Sequence, residues 1–374
     1  LSEEHRKIIL AGYICLDMTP DIGVGFRSFG DVFQPGNLVQ AGPIAYSAGG
    51  AVANTGTALC RLGHKVELVA RIGNDALGDE VLRCLATVEP GLGRHLLRED
   101  GDHTAYALVF SAPGVERMFL VYQGANDSFD SGDVSDEAIA GASWLHFGYP
   151  PIMERMCSGQ GERMAELFAR AKGHGLTTSL DMVKPSAEVL AQTDWRAFLH
   201  NVLPHTDFFC PSLEEIYNML HPGMDLGALG RERPDEAMLR EMAGELLALG
   251  AAVVVIKLGE HGLYVRTSSD AGRLERIGAG GPSPVELEAW VGQEFHMPCY
   301  SVEVAGTNGA GDSTIAGLIS GVIQGLPLEE AARFACAVGA FSVEGSDATG
   351  AIPRRERVWE RTRAGWAQRE TLPG

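Results

Sequence analysis

Apolar residues fall along this chain in short unbroken runs, separated by longer stretches in which they recur every three or four positions. These are the signatures of buried strands and of helices with one apolar face. The run Ile8-Ile9-Leu10-Ala11-Gly12-Tyr13-Ile14 predicts a buried strand ending at Asp17, and 49–63, rich in small residues, predicts a helix. Further strands are predicted at 66–72, 144–147, 177–180, 208–210, 253–258 and 301–305. The clearest helix is 234–249, where Met238, Met242, Leu246 and Leu249 share a face, Pro234, Asp235 and Glu236 suit the start and Gly250 stops it. Strands alternating with helices imply a largely parallel sheet covered on both faces, whose ligands bind beyond the C-terminal strand ends.

Three segments break this rhythm. Residues 19–46 are rich in Gly and Pro, and 104–122 alternate apolar and polar residues around Pro113-Gly114. The second predicts a hairpin with Ala107, Val109, Met118, Leu120 and Tyr122 facing inward. Together they form a small sheet, a candidate lid. The Gly- and Pro-rich stretch 267–298 reads as an insertion.

Composition narrows the function. The 374 residues are 45% hydrophobic and 21% charged, as a globular chain with a large core requires. A net charge of -19 argues against a nucleic-acid or anionic-membrane surface, since either needs a basic footprint. Seven scattered cysteines without Cys-x-x-Cys spacing argue against disulfides and zinc and for a cytoplasmic protein, and no apolar run is long enough to span a bilayer.

The candidate chemistry lies at Gly306-Thr307-Asn308-Gly309-Ala310-Gly311-Asp312, ahead of a helix with Ile315, Leu318, Ile319, Val322 and Ile323 on one face. Unpaired amides at a helix start attract a phosphate, and glycines let the backbone approach it. Asp312 is either a carboxylate stabilising the helix dipole or a general base beside an anion cradle of Asn308, Gly309, Ala310 and Gly311. No Gly-x-x-x-x-Gly-Lys-Ser/Thr and no Gly-x-Gly-x-x-Gly order is present, which disfavours a P-loop and a nicotinamide-cofactor oxidoreductase.

This turn resembles the Asp-Thr-x-Gly-Ala-Gly-Asp hallmark of the ribokinase/PfkB family of carbohydrate kinases. Gly49-Gly50 followed by Asn54 and Arg61-Leu62-Gly63, then 73–78, Gly124-Ala125-Asn126 and 257–262, resemble its other motifs in order. The resemblance implies one ribokinase-like α/β domain over 1–374, three-layered, with a mainly parallel central sheet and a β-sheet lid from about 18–46 and 103–124. It implies ATP-dependent phosphorylation of a hydroxyl on a small sugar-like acceptor, with Asp312 as base and 308–311 as anion hole. A nucleoside kinase of the same family and a non-catalytic sugar-binding relative are the alternatives.

By the same resemblance Asp17, Gly49, Gly50 and Asn54 serve the acceptor, Lys257, Gly259, Gly262, Ala337 and Gly339 serve ATP, and Glu215 serves Mg2+ through water. A strand-end cap at Asp17, a packed amide at Asn54, a solvent-facing Lys257, a tight turn at the two glycines and a helix cap by Ser212 with Glu214 and Glu215 remain open. Lid pairing implies a homodimer. Two departures matter. Gly306 replaces the leading Asp of the hallmark, which puts monovalent-cation activation in doubt, and 181–185 replace an Asp-x-Asn-x-Arg pattern, leaving Lys184 as its phosphate contact. Arg27 and Arg117 either meet a substrate phosphate or face solvent, the second being the simpler reading.

Overall fold

The computed structural model describes residues 7–23, 28–112, 115–224, 226 and 235–370, with backbone alone at 112 and 115–117. Arg27, the Pro113-Gly114 turn, the Arg117 side chain and Pro234 lie outside the described residues. The strands are β1 Lys7–Gly12, β2 Cys15–Pro20, β3 Ile44–Gly49, β4 Val66–Val69, β5 Arg71–Gly73, β6 Leu97–Glu99, β7 Tyr106–Ala112, β8 Val115–Tyr122, β9 Ala142–Gly148, β10 Thr177–Asp181, β11 Phe208–Phe209, β12 Val253–Lys257, β13 Leu263–Thr267 and β14 Glu294–Met297.

The main sheet runs β14-β13-β12-β11-β10-β9-β1-β4, and a second runs β3-β2-β7-β8. From β4 to β12 every pairing in the main sheet is parallel, and β13 and β14 add antiparallel at the edge. Ile8 and Leu10 enter a core beneath helices Gly50–Arg61, Ala310–Ile323 and Leu328–Val343. Ile9 and Ala11 enter the opposite core, under helices Glu162–Gly173 and Glu236–Ala248. Burial on both faces explains why the strand sequences are continuously apolar, and each fully buried Leu or Ile contributes about 1.5–3 kcal/mol.

The run predicted as one strand from Ile8 becomes two, in different sheets. Gly12 ends β1 at φ +120, where a Cβ would stand 2.4 Å from the Gly148 carbonyl oxygen. The Asn126 amide then substitutes for a neighbouring strand. Its oxygen accepts from the Ile14 N–H at 3.0 Å, and its Nδ2 donates to the Ile14 carbonyl at 2.9 Å. Cys15 can therefore begin β2 in the second sheet, which carries Asp17 to the end of β1. The predicted strand 66–72 likewise divides, β4 staying in the main sheet and β5 pairing with β6.

Residues 301–305 form no strand. The Ala305 and Gly306 amides instead donate to the Val343 carbonyl, at 2.8 and 3.2 Å, and carry an irregular chain into the glycine turn. The sheet edge comes from 267–298, which supplies β14 and buries Trp290 in the core. In the β7–β8 hairpin Ala107 and Val109 are buried as expected. Met118, Leu120 and Tyr122 are exposed instead, as are Phe119 and Val121 between them. The hairpin register explains the error: Leu108 stands opposite Leu120 and Val109 opposite Phe119, so Met118, Leu120 and Tyr122 lie on the face of Leu108 and not on that of Ala107 and Val109, and both faces of β8 are exposed.

Candidate functional site

Asp312 enters the site because Gly309 adopts φ +67 as the N-cap of helix Ala310–Ile323. A Cβ at Gly309 would also lie 2.6 Å from the Ala348 Cβ, so the turn excludes larger residues twice over. Asp312 falls in the first helical turn and is 2% exposed. Its Oδ2 accepts from Asn54 Nδ2 at 2.9 Å, and the Tyr149 hydroxyl reaches Oδ1 at 2.9 Å and Oδ2 at 3.0 Å. Burial raises the Asp312 carboxyl above the ordinary carboxylate range, while the Asn54 contact, the Lys257 charge and the Tyr149 hydroxyl oppose the rise.

The early helix Gly50–Arg61 aims Asn54 at this carboxylate. The Gly pair before it is sterically required, since a Cβ on Gly49 would meet the Asp17 carboxyl at 2.4 Å and one on Gly50, at φ +83, the Tyr13 carbonyl at 2.8 Å. Asp17 is buried, accepting from Asn308 Nδ2 at 3.3 Å and from the Cys15 thiol at 3.3 Å. Burial raises its carboxyl, those two donors oppose the rise, and Asp312 adds to it. Two hydrogen-bonded pairs, Asn54 with Asp312 and Asn308 with Asp17, thus bring three separate stretches of sequence into one polar floor.

Lys257, at the end of β12, turns inward rather than to solvent, its side chain 11% exposed. Its Nζ donates to Asp181 Oδ1 at 2.6 Å and lies 3.4 Å from where a Cβ on Gly311 would stand. An ammonium is thereby held beside the helix start. Burial opposes its charge, but Asp181 and Glu215 outweigh that and raise its pKa. Asp181 is fully buried with Oδ2 unpartnered; burial raises its carboxyl and Lys257 pulls it down. Glu215 forms a capping box with Ser212, accepting its N–H at 2.6 Å, and its carboxyl is raised by burial against the pull of Lys257. The capping geometry and a place beside Lys257 therefore coexist. Lys184 pairs with Glu214 at 2.5 Å.

A cavity of about 290 Å³ opens next to Lys257 and Gly311, lined by Gly259, Gly262, Tyr300, Val302, Val304, Cys336, Gly339 and Val343 among others. Gly262, at φ +91, also turns against β14, where a Cβ would stand 2.1 Å from the Met297 carbonyl oxygen. Ala337 faces the core and does not line the cavity. Gly339 lines it, yet its missing side chain is needed for helix packing too, as a Cβ would meet Thr314 Oγ1 at 2.3 Å.

Two aromatic side chains, Tyr149 against Asp312 and His146 near Lys257, have no individual role in the sequence reading. Tyr149 sits at φ 69, left-handed and costly for a bulky residue, with its ring centroid 6.3 Å from that of Tyr13. The signal available was Tyr149 between Gly148 and Pro150-Pro151, since a residue before proline avoids the right-handed helical region. His146, fully buried with Nδ1 2.8 Å from Ser179 Oγ, is pushed down to about 3 by burial and by Lys257, so it stands neutral.

The floor supplies a buried carboxylate, the helix start a glycine-rich turn with a lysine ammonium beside it, and the cavity a largely apolar slot next to them. The model of the pfkB family of carbohydrate kinases matches residues 26–355. The chain is 24% identical to the 2-dehydro-3-deoxygluconokinase of Bacillus subtilis (strain 168) over 328 residues, 86% of this chain and 89% of that protein. It shares its fold with the ribokinase of Arabidopsis thaliana solved with ribose and ATP, at a TM-score of 0.71 and 19% identity, covering 95% and 98% of the two chains. The nucleoside kinase of Methanocaldococcus jannaschii matches at a TM-score of 0.64 and 19% identity, over 96% and 98%.

Proposed function

Since the chain belongs to the pfkB family of carbohydrate kinases, we propose that it moves the γ-phosphoryl group of ATP to a hydroxyl of a small sugar or sugar acid, with Asp312 as general base. The observation that carries this reading is the buried Asp312 carboxylate at a glycine-capped helix start, beside an ammonium and an apolar cavity. The acceptor lies over Asp17 and Asn54, between the main sheet and the second sheet. Its hydroxyl displaces the Tyr149 phenol from Asp312 and gives its proton to that carboxylate as the oxygen attacks the γ-phosphorus, whose bond to the β,γ-bridging oxygen breaks so that ADP leaves. The amides of 309–311 and Lys257 take up charge on the transferred group. The second sheet serves as a lid over the acceptor and keeps water from competing.

Among the described residues no three His, Cys, Asp or Glu side chains converge as a direct metal cage. Glu215 and the unpartnered Asp181 Oδ2 fit a Mg2+ held through water, as that ion keeps several waters. When bound it would neutralise phosphate oxygens.

The test is a coupled assay across sugars, keto-deoxy sugar acids and nucleosides, with sodium and potassium compared. We expect turnover on a sugar or sugar acid, equal in the two salts because Gly306 carries no carboxylate. Turnover on nucleosides alone would replace the acceptor class, and none at all would make the site a sensor. The exposed apolar face at 118–122, with Ile44 and Tyr46, supports a homodimer through the lid, which light scattering on the assayed sample would reveal.

Tyr149 gives a further expectation. Its hydroxyl is one of the groups opposing the rise of the Asp312 carboxyl, so Tyr149→Phe lets that carboxyl rise further. The base must be ionised to act, and the acid limb of kcat/KM should therefore move to higher pH. An unmoved limb would reduce Tyr149 to a packing residue.

A further inference from the structure

Residues beyond 355 lie outside the span that the family matches, yet they build part of the cavity beside Lys257. After helix Arg355–Arg363, Gly365 reverses the chain at φ +86. Residues 366–369 then run antiparallel to 299–301. The Ser301 N–H donates to the Ala367 carbonyl at 2.9 Å, the Arg369 N–H to the Cys299 carbonyl at 2.8 Å, and Tyr300 and Gln368 form a bridge.

Side chains fix this segment as well. The Trp366 ring stacks on Tyr300 at 4.5 Å, and its Nε1–H donates to the Ser301 carbonyl at 3.0 Å. The Arg361 guanidinium lies 3.7 Å from the Trp366 ring centroid and is itself held by two hydrogen bonds to Glu344, at 2.6 and 2.8 Å. Gln368 Nε2 donates to the Pro298 carbonyl at 3.1 Å. Docked in this way, the segment presents Arg369 to the cavity, and its guanidinium pairs with Glu260, which also lines it.

An exposed ion pair of this kind adds little to stability, so the fold does not account for both groups. A flat guanidinium at the rim of an apolar slot is what an aromatic ring binds well: it stacks on the ring face, its plane fixed by a carboxylate. We infer that the segment 366–369 is a wall of the nucleotide site and that Arg369, oriented by Glu260, covers a face of the purine of ATP. This rests on reading the cavity as the ATP site. Recognition of the base is thus assigned to residues outside the matched span, while the phosphates fall to Lys257 and 309–311 within it.

Calorimetric titration of wild type, Arg369→Ala, Arg369→Lys and a chain ended after Gly365 with ATP, ADP and pyrophosphate tests the assignment. Arg369→Ala should weaken ATP and ADP by a similar factor, about 3- to 30-fold on the scale of a cation over an aromatic face, with pyrophosphate unchanged. Arg369→Lys keeps the charge without the plane and should recover only part, and the shortened chain should lose at least as much as Arg369→Ala. Unchanged ADP affinity in Arg369→Ala, or a loss shared equally by pyrophosphate, overturns the inference while ATP binding by wild type leaves the kinase reading standing. If wild type binds neither nucleotide, both fall together.

Discussion

Asp312→Asn is expected to lower kcat by about 10²- to 10⁴-fold, the range for losing a general base, while acceptor affinity stays near wild type and the protein becomes no less stable. The geometry permits such a clean substitution. The Asn oxygen can keep the hydrogen bond from Asn54, and its amide can donate to the Tyr149 oxygen, so both neighbours of the carboxylate stay paired. Stability has its own sign. Burial raises the Asp312 carboxyl in the folded state, so folding favours the protonated form. That penalty is absent below the unfolded pKa and grows as pH rises through the folded one. Asparagine carries no such penalty, and the variant should unfold at an equal or higher temperature at neutral pH, with the difference fading toward acid. Paired measurements of turnover, acceptor binding and unfolding temperature decide the matter. A variant that keeps turnover within a few-fold of wild type would remove Asp312 from the chemistry.

The layered architecture was legible because strands buried on both faces are continuously apolar, as Ile8 to Ala11 show by sending alternate side chains into opposite cores. The glycine turn was legible because glycine at positive φ leaves a direct mark, as at Gly50 and Gly309. The break between β1 and β2 was not. It depends on an amide over a hundred residues away, Asn126, taking the place of a strand beside Ile14. Hairpin register decided which side chains of β7 and β8 share a face and chain topology put β14 at the sheet edge, and hydrophobic alternation within one strand carries no information about either. Within the site, only the family resemblance singled out Asn54, and its bond to Asp312 spans distant sequence. Tyr149 was hidden in the same way. A tyrosine ahead of two prolines announces an unusual backbone, whereas its hydroxyl on the base is a tertiary fact.

Lys257→Met should be the most damaging single substitution for stability near the site, at about 3 to 5 kcal/mol at neutral pH and above, because it leaves a buried carboxylate without its cation. Asp181 is fully buried, has one unpartnered oxygen and depends on the 2.6 Å contact from Lys257. Without the ammonium, only the Met182 N–H at 2.8 Å still supports the charge against burial, the carboxyl rises further, and the folded protein holds the proton more tightly than the unfolded chain does. The deficit should therefore be small at low pH, where Asp181 is protonated in both states, and widen as pH rises. Asp181→Asn combined with Lys257→Met removes the carboxylate that Lys257 bonds directly and should recover part of the lost stability and reduce the pH dependence, the remainder resting on Glu215 and Asp312, whose carboxyls Lys257 also holds down. Turnover should not recover with it, because Lys257 also lies beside Gly311 where phosphate charge gathers. Unfolding curves across pH for both single variants and the double variant, read beside kcat, separate the two duties of this lysine. Full recovery of turnover in the double variant would confine Lys257 to holding Asp181, and an unchanged unfolding temperature in Lys257→Met would show that the buried pair contributes nothing to the fold.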